Sequence, residues 1–313
     1  MGVYIVRRIL STILVMLIVG VCVFLLLHLA PGDPAAIIAG DYTSPANILA
    51  IRQRLGLDDP ILQQFGRWGW RLLHGDLGIS IFSDTPVMTL IMQRLQPTVS
   101  LTAITIVFSV LVAVSAGVIA GWRAGGLLDR ALMGFAALGF SVPVFVLGYV
   151  LIYFFAIRLR WFPVQGYIPI AGGFWPWFSH LIMPGFALGL AYVALIARIT
   201  RTSILEVLAE DYIRTARAKG ASNTSMLLHH ALKNAGVPIV TVIGIGVAGL
   251  ISGVVITETV FNVPGIGRLT VDAISNRDYP IIQGVMIVFS GVYVLINLGV
   301  DLIYTIIDPR IRY

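Results

Sequence analysis

VSLTAITIVFSVLVAVSAGVIAGW, residues 99–122, carries no charged side chain in 24 positions. About 20 apolar residues let a helix cross a bilayer core of about 30 Å, so this stretch has the length and chemistry of a membrane span. Five more stretches of the same kind flank it, at 9–30, 131–157, 181–197, 237–257 and 281–300. Over all 313 residues, 58% are hydrophobic and only 12% charged, with a mean hydropathy of +0.93. A soluble domain carries about 25% charge, so a water-soluble globular fold is excluded. The expected fold class is an all-α polytopic membrane protein with six transmembrane helices.

Arg7 and Arg8 precede the first stretch, whose 22 residues exceed the roughly 7–15 of a signal-peptide core. It is expected to stay in place as the first span. Six spans put both termini on one side, and Lys and Arg in short loops say which. With the N-terminus inside, the inner segments hold Arg7, Arg8, Arg123, Arg130, Arg198, Arg201, Arg214, Arg217, Lys219, Lys233, Arg310 and Arg312, against Arg158, Arg160, Arg268 and Arg277 in the two short outer loops. The inner density is about twice the outer, which places both termini in the cytoplasm. The net charge of +6 is then explained by topology, and no nucleic-acid partner is expected; the membrane lipid is. The lone Cys22 excludes an internal disulfide, and the five histidines have no metal-ligand spacing.

The outer segment 31–98 is too long for a connector. Turn-forming PGDP (31–34), LGLDDP (55–60) and HGDLG (74–78) separate two stretches of helical spacing, 45–55 and 61–73, with Trp68 and Trp70 suited to a membrane interface. The expected organisation is therefore residues 1–98 as a first span plus an outer helical cap, and 99–313 as a five-helix core with a cytoplasmic loop at 198–236. The outer loop RLRWFPVQGYIPIAGGFWPWFSH (158–180) interleaves aromatics with Gly and Pro, as an aromatic belt or a contact surface would.

The loop 198–236 is the richest segment. EDYIRTARAK (210–219) has helix-forming composition, Gly220 is placed to end that helix in a left-handed conformation, and Ser222 can cap a second helix running to Gly236 before Pro238. Ile213 and Ala216 are weak apolar anchors among Arg214, Arg217 and Lys219, so an ordered loop of this length is expected to dock something. No G-x-x-x-x-G-K-[ST] occurs, so the chain has no P-loop of its own. The G-x-G-x-x-G at Gly244, Gly246 and Gly249 lies inside an apolar span, and the Gly117/Gly121, Gly185/Gly189 and Gly249/Gly253 spacings point to close helix packing.

Ionisable groups near the spans are His28, Glu258 and Asp301, each near a span end. Pro143 denies the third span a backbone donor and Ser141 beside it can satisfy freed groups. A bend there, with Glu258 and Asn262 at the outer end of span five, gives the candidate lining residues of a translocation path: Ser141, Pro143, Glu258 and Asn262.

EDYIRTARAKGASNTSMLLHHALKNA (210–235) resembles the cytoplasmic signature of inner-membrane permease subunits of binding-protein-dependent ABC importers, written generally as E-A-A-x3-G-x9-I-x-L-P. Aligned on Gly220, Ala216 and Leu232 keep the pattern. Arg214, Thr215 and Lys233 depart from it in the manner of the dipeptide, oligopeptide and nickel branch, of the dipeptide-permease B type. YIVRRIL (4–10), LAPGDP (29–34), LGLDDPILQQF (55–65), GDLGIS (75–80), TETVFNVPGIGRL (257–269), RDYP (277–280) and DPRIRY (308–313) extend the resemblance along nearly the whole chain.

The resemblance implies a type I ABC importer permease fold in a bacterial inner membrane. It implies a heterodimer with a homologous second permease, two cytoplasmic ATPase subunits that bind the ATP and Mg, and a periplasmic substrate-binding protein. The chain itself would hold no cofactor and be no enzyme. Tyr212, Arg214, Thr215, Ala216, Arg217, Lys219, Gly220, Ala221 and Ser222 would couple it to the ATPase. Di- or oligopeptides are the expected cargo, with nickel chelates, glutathione, opines and oligosaccharides as alternatives. An ion-gradient-driven secondary transporter would want midplane carboxylates and an inverted repeat, and an intramembrane enzyme would want a nucleophile and base at depth; neither pattern is evident.

Overall fold

A computed structural model describes residues 2–29, 35–36 and 44–307. The LAPGDP motif beyond Leu29, and DPRIRY with Arg310, Arg312 and the C-terminus, lie outside the described residues. Regular structure among those described is helical, apart from an isolated bridge between Ile79 and Pro86. The order is α1 (Gly2–Leu29), α2 (Pro45–Leu55), α3 (Ile61–Leu73), α4 (Val87–Trp122), α5 (Leu127–Ser141), α6 (Val144–Arg158), α7 (Phe174–Leu208), α8 (Asp211–Ala218), α9 (Asn223–Asn234), α10 (Gly236–Val260), α11 (Ile266–Asn276) and α12 (Tyr279–Ile307). Each of the six apolar stretches falls, as far as the described residues reach, in one helix or one bent pair, with α1 contributing a shorter apolar helix, Leu10–Leu26. α4, α7 and α12 are long and apolar enough to cross a membrane unbroken, while α5–α6 and α9–α10 do so as pairs bent by 101° and 61°.

Two compact units divide the chain: Met1–Leu95 with Leu269–Val294, and Gln96–Arg268 with Leu295–Tyr313. The first unit thus takes in 269–294 from the stretch that sequence assigned to the five-helix core. In it, α2 and α3 have the bounds read from the sequence. α2 ends at Gly56, φ +64, where Leu57 N–H donates to Arg52 O, the hydrogen bond that closes a helix on a left-handed glycine. α3 leans on α1 through Phe65 and Trp68, whose rings lie 5.2 and 5.8 Å from Phe24. Ser80 Oγ donates to the buried Asp278 carboxylate at 2.6 Å, joining the GDLGIS and RDYP motifs.

Two elements exceed their expected bounds most: α7 runs from Phe174 to Leu208, past the apolar stretch 181–197 at both ends, and α4 is extended at its start. α4 starts at Val87, twelve residues before the apolar stretch, and runs through Pro97. Its 36 residues make it about 54 Å long, longer than a bilayer core.

In the second unit α7 is the central helix. A Cβ on Gly117 or Gly121 of α4 would meet Thr200, Ala197 and Ile204 of α7, and one on Gly185 or Gly189 of α7 would meet Ile104, Phe108 and Ser109 of α4. Four glycines therefore let two parallel helices approach along their length, and Ser109 Oγ donates to the Gly189 carbonyl at 3.1 Å. On another side, Gly249 and Gly253 of α10 face Tyr192 and Leu188 of α7, and Gly139 of α5 faces Leu190. Lipid offers no hydrophobic drive between helices, so this close contact holds the bundle together. Leu181, Leu188, Val193, Ala197 and Ile204 of α7 are 2% exposed or less as a result.

The break between α5 and α6 is larger than a proline kink. Val142, before the proline, is pushed to an extended φ/ψ of −90°/124°, and Pro143 itself sits at −56°/137°. Two consecutive extended residues turn the chain by 101°.

Candidate functional site

The loop 209–236

α7 leads directly into the loop 209–236. Glu210, extended at φ −67°, ψ 146°, starts α8, whose only buried residue is Ile213. Ile213 anchors the helix while Tyr212, Arg214, Thr215, Arg217 and Lys219 stay exposed and Ala216 half-buried. The helix closes at Gly220, φ +84: its N–H donates to Arg217 O and the N–H of Ala221 to Ala216 O. That pair of bonds is the Schellman arrangement, which needs a left-handed residue at the Gly220 position. Nothing lies within 4 Å of where a Gly220 Cβ would be, so the glycine is required by backbone conformation rather than by crowding.

Ser222 caps the next helix, its Oγ accepting from Ser225 N–H at 3.3 Å. α9 is not a regular helix, because residues 226–231 form a wider turn with i to i+5 bonding. α8 packs on that turn, and Asn234 Nδ2 donates to Tyr212 Oη at 2.9 Å. Ala231, Ala235 and Ile239 join Ile204 of α7 in one buried cluster. The loop is thus a short helix with an exposed basic surface, held on one side by the end of α7 and on the other by the start of α10.

A bidentate ion pair stands behind it. Arg201 Nε and Nη2 donate to Asp129 Oδ1 and Oδ2 at 2.6 and 2.7 Å, and Gly125 N–H donates to Oδ2 at 2.8 Å. Asp129 precedes the apolar stretch of α5, and its side chain is 4% exposed against 28% for Arg201. The Arg201 hydrogen bonds, with that from Gly125, hold the Asp129 carboxyl below the usual carboxylate range. Sequence reading counted Arg201 only as a topology charge and passed over Asp129. An acid two residues ahead of one span and a base four residues beyond another was the available signal.

Outer ends of the spans

Ser141 and Pro143 are exposed at the α5–α6 break, and Ser141 Oγ donates to Ala137 O at 2.9 Å. Glu258 and Asn262 sit elsewhere, in the last turn of α10 and just beyond its end. Glu258 is 0% exposed. Its carboxylate accepts from Thr98 Oγ1 at 2.6 Å and from Arg268 N–H at 3.0 Å, and Thr98 Oγ1 accepts from Ile266 N–H at 2.8 Å. It therefore sits at the N-terminus of α11, where free N–H groups and the helix dipole favour an anion. Gly265 and Gly267 leave the space, since a Cβ on either would run into this carboxylate. Asn262, φ +53, ends α10: its N–H donates to Thr259 O and that of Val263 to Glu258 O. Asn tolerates the left-handed region better than most residues. Glu258 and Asn262 build the turn from α10 to α11, and the polar groups they use are occupied in doing so.

Relatives

Residues 113–313 match the family described as binding-protein-dependent transport system inner membrane component, and residues 1–102 match the N-terminal component of the same systems. A probable peptide ABC transporter permease protein, y4tP of Sinorhizobium fredii (strain NBRC 101917 / NGR234), is 63% identical over 313 residues, the full length of both chains. The glutathione transport system permease protein GsiC of Escherichia coli (strain K12) is 44% identical over 311 residues, 99% of each chain. Among solved structures, an inward-facing MetNI methionine ABC transporter chain superposes with a TM-score of 0.59 at 18% identity, covering 71% of this chain and 97% of that one, a likeness of fold. With family matches over both parts of the sequence and a full-length relative above 60% identity, the chain belongs to the binding-protein-dependent transport system inner-membrane components, in the branch of peptide and glutathione permeases.

Proposed function

We propose that this permease carries di- or oligopeptides from periplasm to cytoplasm, as half of a heterodimeric pathway driven by two ATPase subunits and fed by a periplasmic binding protein. The observation that carries the reading is α8: an exposed basic helix anchored by Ile213 and ended by a left-handed glycine, at the end of the most buried helix of its unit. A rigid helix on a glycine joint suits an element whose position both a partner ATPase and the membrane helices bias. Tyr212, Arg214, Thr215, Ala216, Arg217, Lys219, Gly220, Ala221 and Ser222 form this coupling element, and ATP and Mg belong to the partner subunits. The orientation is N- and C-termini inside with six crossings, α5–α6 counting as one. Ser141, Pro143, Glu258 and Asn262 are the lining candidates, the last two also building the turn from α10 to α11.

Uptake by the complete complex in proteoliposomes tests this. ATP and binding protein should be required, and a labelled dipeptide should accumulate. Preferential uptake of glutathione, a nickel chelate, an opine or an oligosaccharide would reassign the cargo alone. Uptake by this chain on an ion gradient without ATPase would overturn the importer reading, and a periplasm-active reporter functioning after Arg217 would overturn the orientation.

A further inference from the structure

α3 has three faces. At about 100° per residue, Ile61, Phe65, Trp68 and Leu72 fall on one arc, Gln63, Arg67 and Arg71 on a second, and Leu62, Gly66, Gly69, Trp70 and Leu73 on a third. The first arc leans on α1: Phe65 and Trp68 stack against Phe24, and the Trp68 ring lies 3.8 Å from where a Gly20 Cβ would be. Gln64 Oε1, at the edge of that arc, meets His28 Nε2 at 3.1 Å. The second arc is polar and exposed, with Arg67 paired to Asp59. The third is apolar and, among the described residues, bare apart from the Trp70 ring resting 4.4 Å from His74, with Leu62 81%, Trp70 66% and Leu73 82% exposed, and nothing described within 4 Å of Gly66 or Gly69.

The level of α3 relative to the membrane follows from two contacts. Gln283 Nε2 donates to the Val23 carbonyl at 3.1 Å, which puts Val23 beside the first turn of the apolar stretch 281–300 of α12. The outer boundary of the hydrocarbon therefore crosses α1 near Phe24, close to the end of its apolar helix Leu10–Leu26 and short of the residue 30 expected from the sequence, and Gly20 lies one turn, about 6 Å, inside it. α3 touches both residues, so it lies at that boundary. α1 is itself exposed at Leu10, Ile13, Leu14, Leu17 and Ile18, deeper along the span than that boundary.

We propose that α3 is an interfacial helix seated in the outer leaflet of the membrane, with Leu62, Gly66, Gly69, Trp70 and Leu73 against lipid and Gln63, Arg67 and Arg71 toward headgroups and water. An apolar face buried some 5–10 Å into the headgroup boundary, a polar face with arginines and an interfacial Trp are the composition of such a helix. Lipid rather than protein is the occupant, because the bare face stands at hydrocarbon level beside an exposed span and its flat Gly66–Gly69 centre offers no pocket for a side chain. The helix would thereby moor the outer cap to α1 by contact and to the bilayer by insertion. This rests on the reading of α1 as a span.

Site-directed spin labels test it in the complete transporter in lipid nanodiscs, with Cys22 replaced by Ser and single cysteines at Leu62, Leu73, Ile13 and Asp58. Collision with oxygen reports lipid, and collision with a water-soluble nickel chelate reports solvent. Labels at 62 and 73 should show an oxygen-to-nickel ratio several-fold above that at 58 and approaching that at 13. A ratio at 62 and 73 equal to that at 58 would overturn the proposal. So would exclusion of both reagents, which would mean a protein partner covers the face. If position 13 itself behaved as water-exposed, the reading of α1 as a span would fail and the proposal with it. Either labelled position suffices if the other variant does not assemble.

Discussion

Replacing Glu258 with Ala should destabilise the outer turn, and the amount can be worked from its bonds. The carboxylate accepts from Thr98 Oγ1 and Arg268 N–H with 0% of the residue exposed. Hydrogen bonds to a charged group contribute about 1.5–3 kcal/mol each, so a loss of about 3–5 kcal/mol is expected from the two. Gly265→Ala attacks the same site from the other side, because its Cβ overlaps the carboxylate; overpacking of this kind costs about 1–3 kcal/mol. The two are not independent. Once Glu258→Ala has emptied the space, Gly265→Ala should add less than about 0.5 kcal/mol, leaving a coupling of about 1–2 kcal/mol. The assay is the heating midpoint at which the purified complex loses its monodisperse form, for wild type, both single variants and the double. Strictly additive shifts, or a wild-type midpoint for Glu258→Ala, would refute the view that this carboxylate holds the start of α11.

Three further outcomes are expected. Asp129→Arg or Arg201→Asp alone should lower stability by about 1–3 kcal/mol or more by setting two like charges together at a buried position, and the double swap should recover much of it. Because the native Asp129 carboxyl titrates below its unfolded value, its contribution is full at neutral pH and is lost only as pH falls through the lowered native value; midpoints measured against pH for wild type and Asp129→Asn should converge only at the acid end. Gly189→Leu drives a side chain into Phe108 and Ser109 and should reduce assembled permease in the membrane severely, whereas Gly134→Leu, with nothing within 4 Å, should assemble normally, as immunoblots of membrane fractions would show. Ser141→Cys should react with an aqueous thiol reagent during turnover, and protection in every state would show that the α5–α6 break faces lipid or packed protein.

The spans were legible because apolar length is a property of composition alone, and α2 and α3 because Pro, Gly and Asp-Asp-Pro punctuate them. α8 was legible for the same reason: Gly220 ends it and Ser222 begins α9 through backbone chemistry that a sequence states directly. What escaped was whatever depends on partners far along the chain. The outward extension of α4 is written in residues 87–98 without a sustained apolar run, and Pro97 reads as a breaker although the helix passes through it. Glu258 looks like an exposed span end until Thr98, 160 residues away, and the glycines of the next turn are brought around it. Nor does the sequence state that Asn262 takes the left-handed conformation, φ +53, on which the turn after α10 is built. Asp129 and Arg201 are 72 positions apart, and only the packing of α5 on α7 makes them a pair.

The central claim is that α8 and its glycine joint carry the partner's ATP-driven motion into the bundle, and Gly220→Val tests it most directly. A β-branched residue at φ +84 costs about 1 kcal/mol or more, yet no neighbour obstructs it, so the span bundle should insert normally. The measurement is substrate-stimulated ATP hydrolysis and uptake by the reconstituted complex, with Lys233→Ala as a milder comparison. Gly220→Val is predicted either to lose its ATPase partner or to hold it without stimulated hydrolysis. Full assembly with wild-type hydrolysis and uptake would contradict the account and leave residues 198–236 a basic connector at the lipid surface.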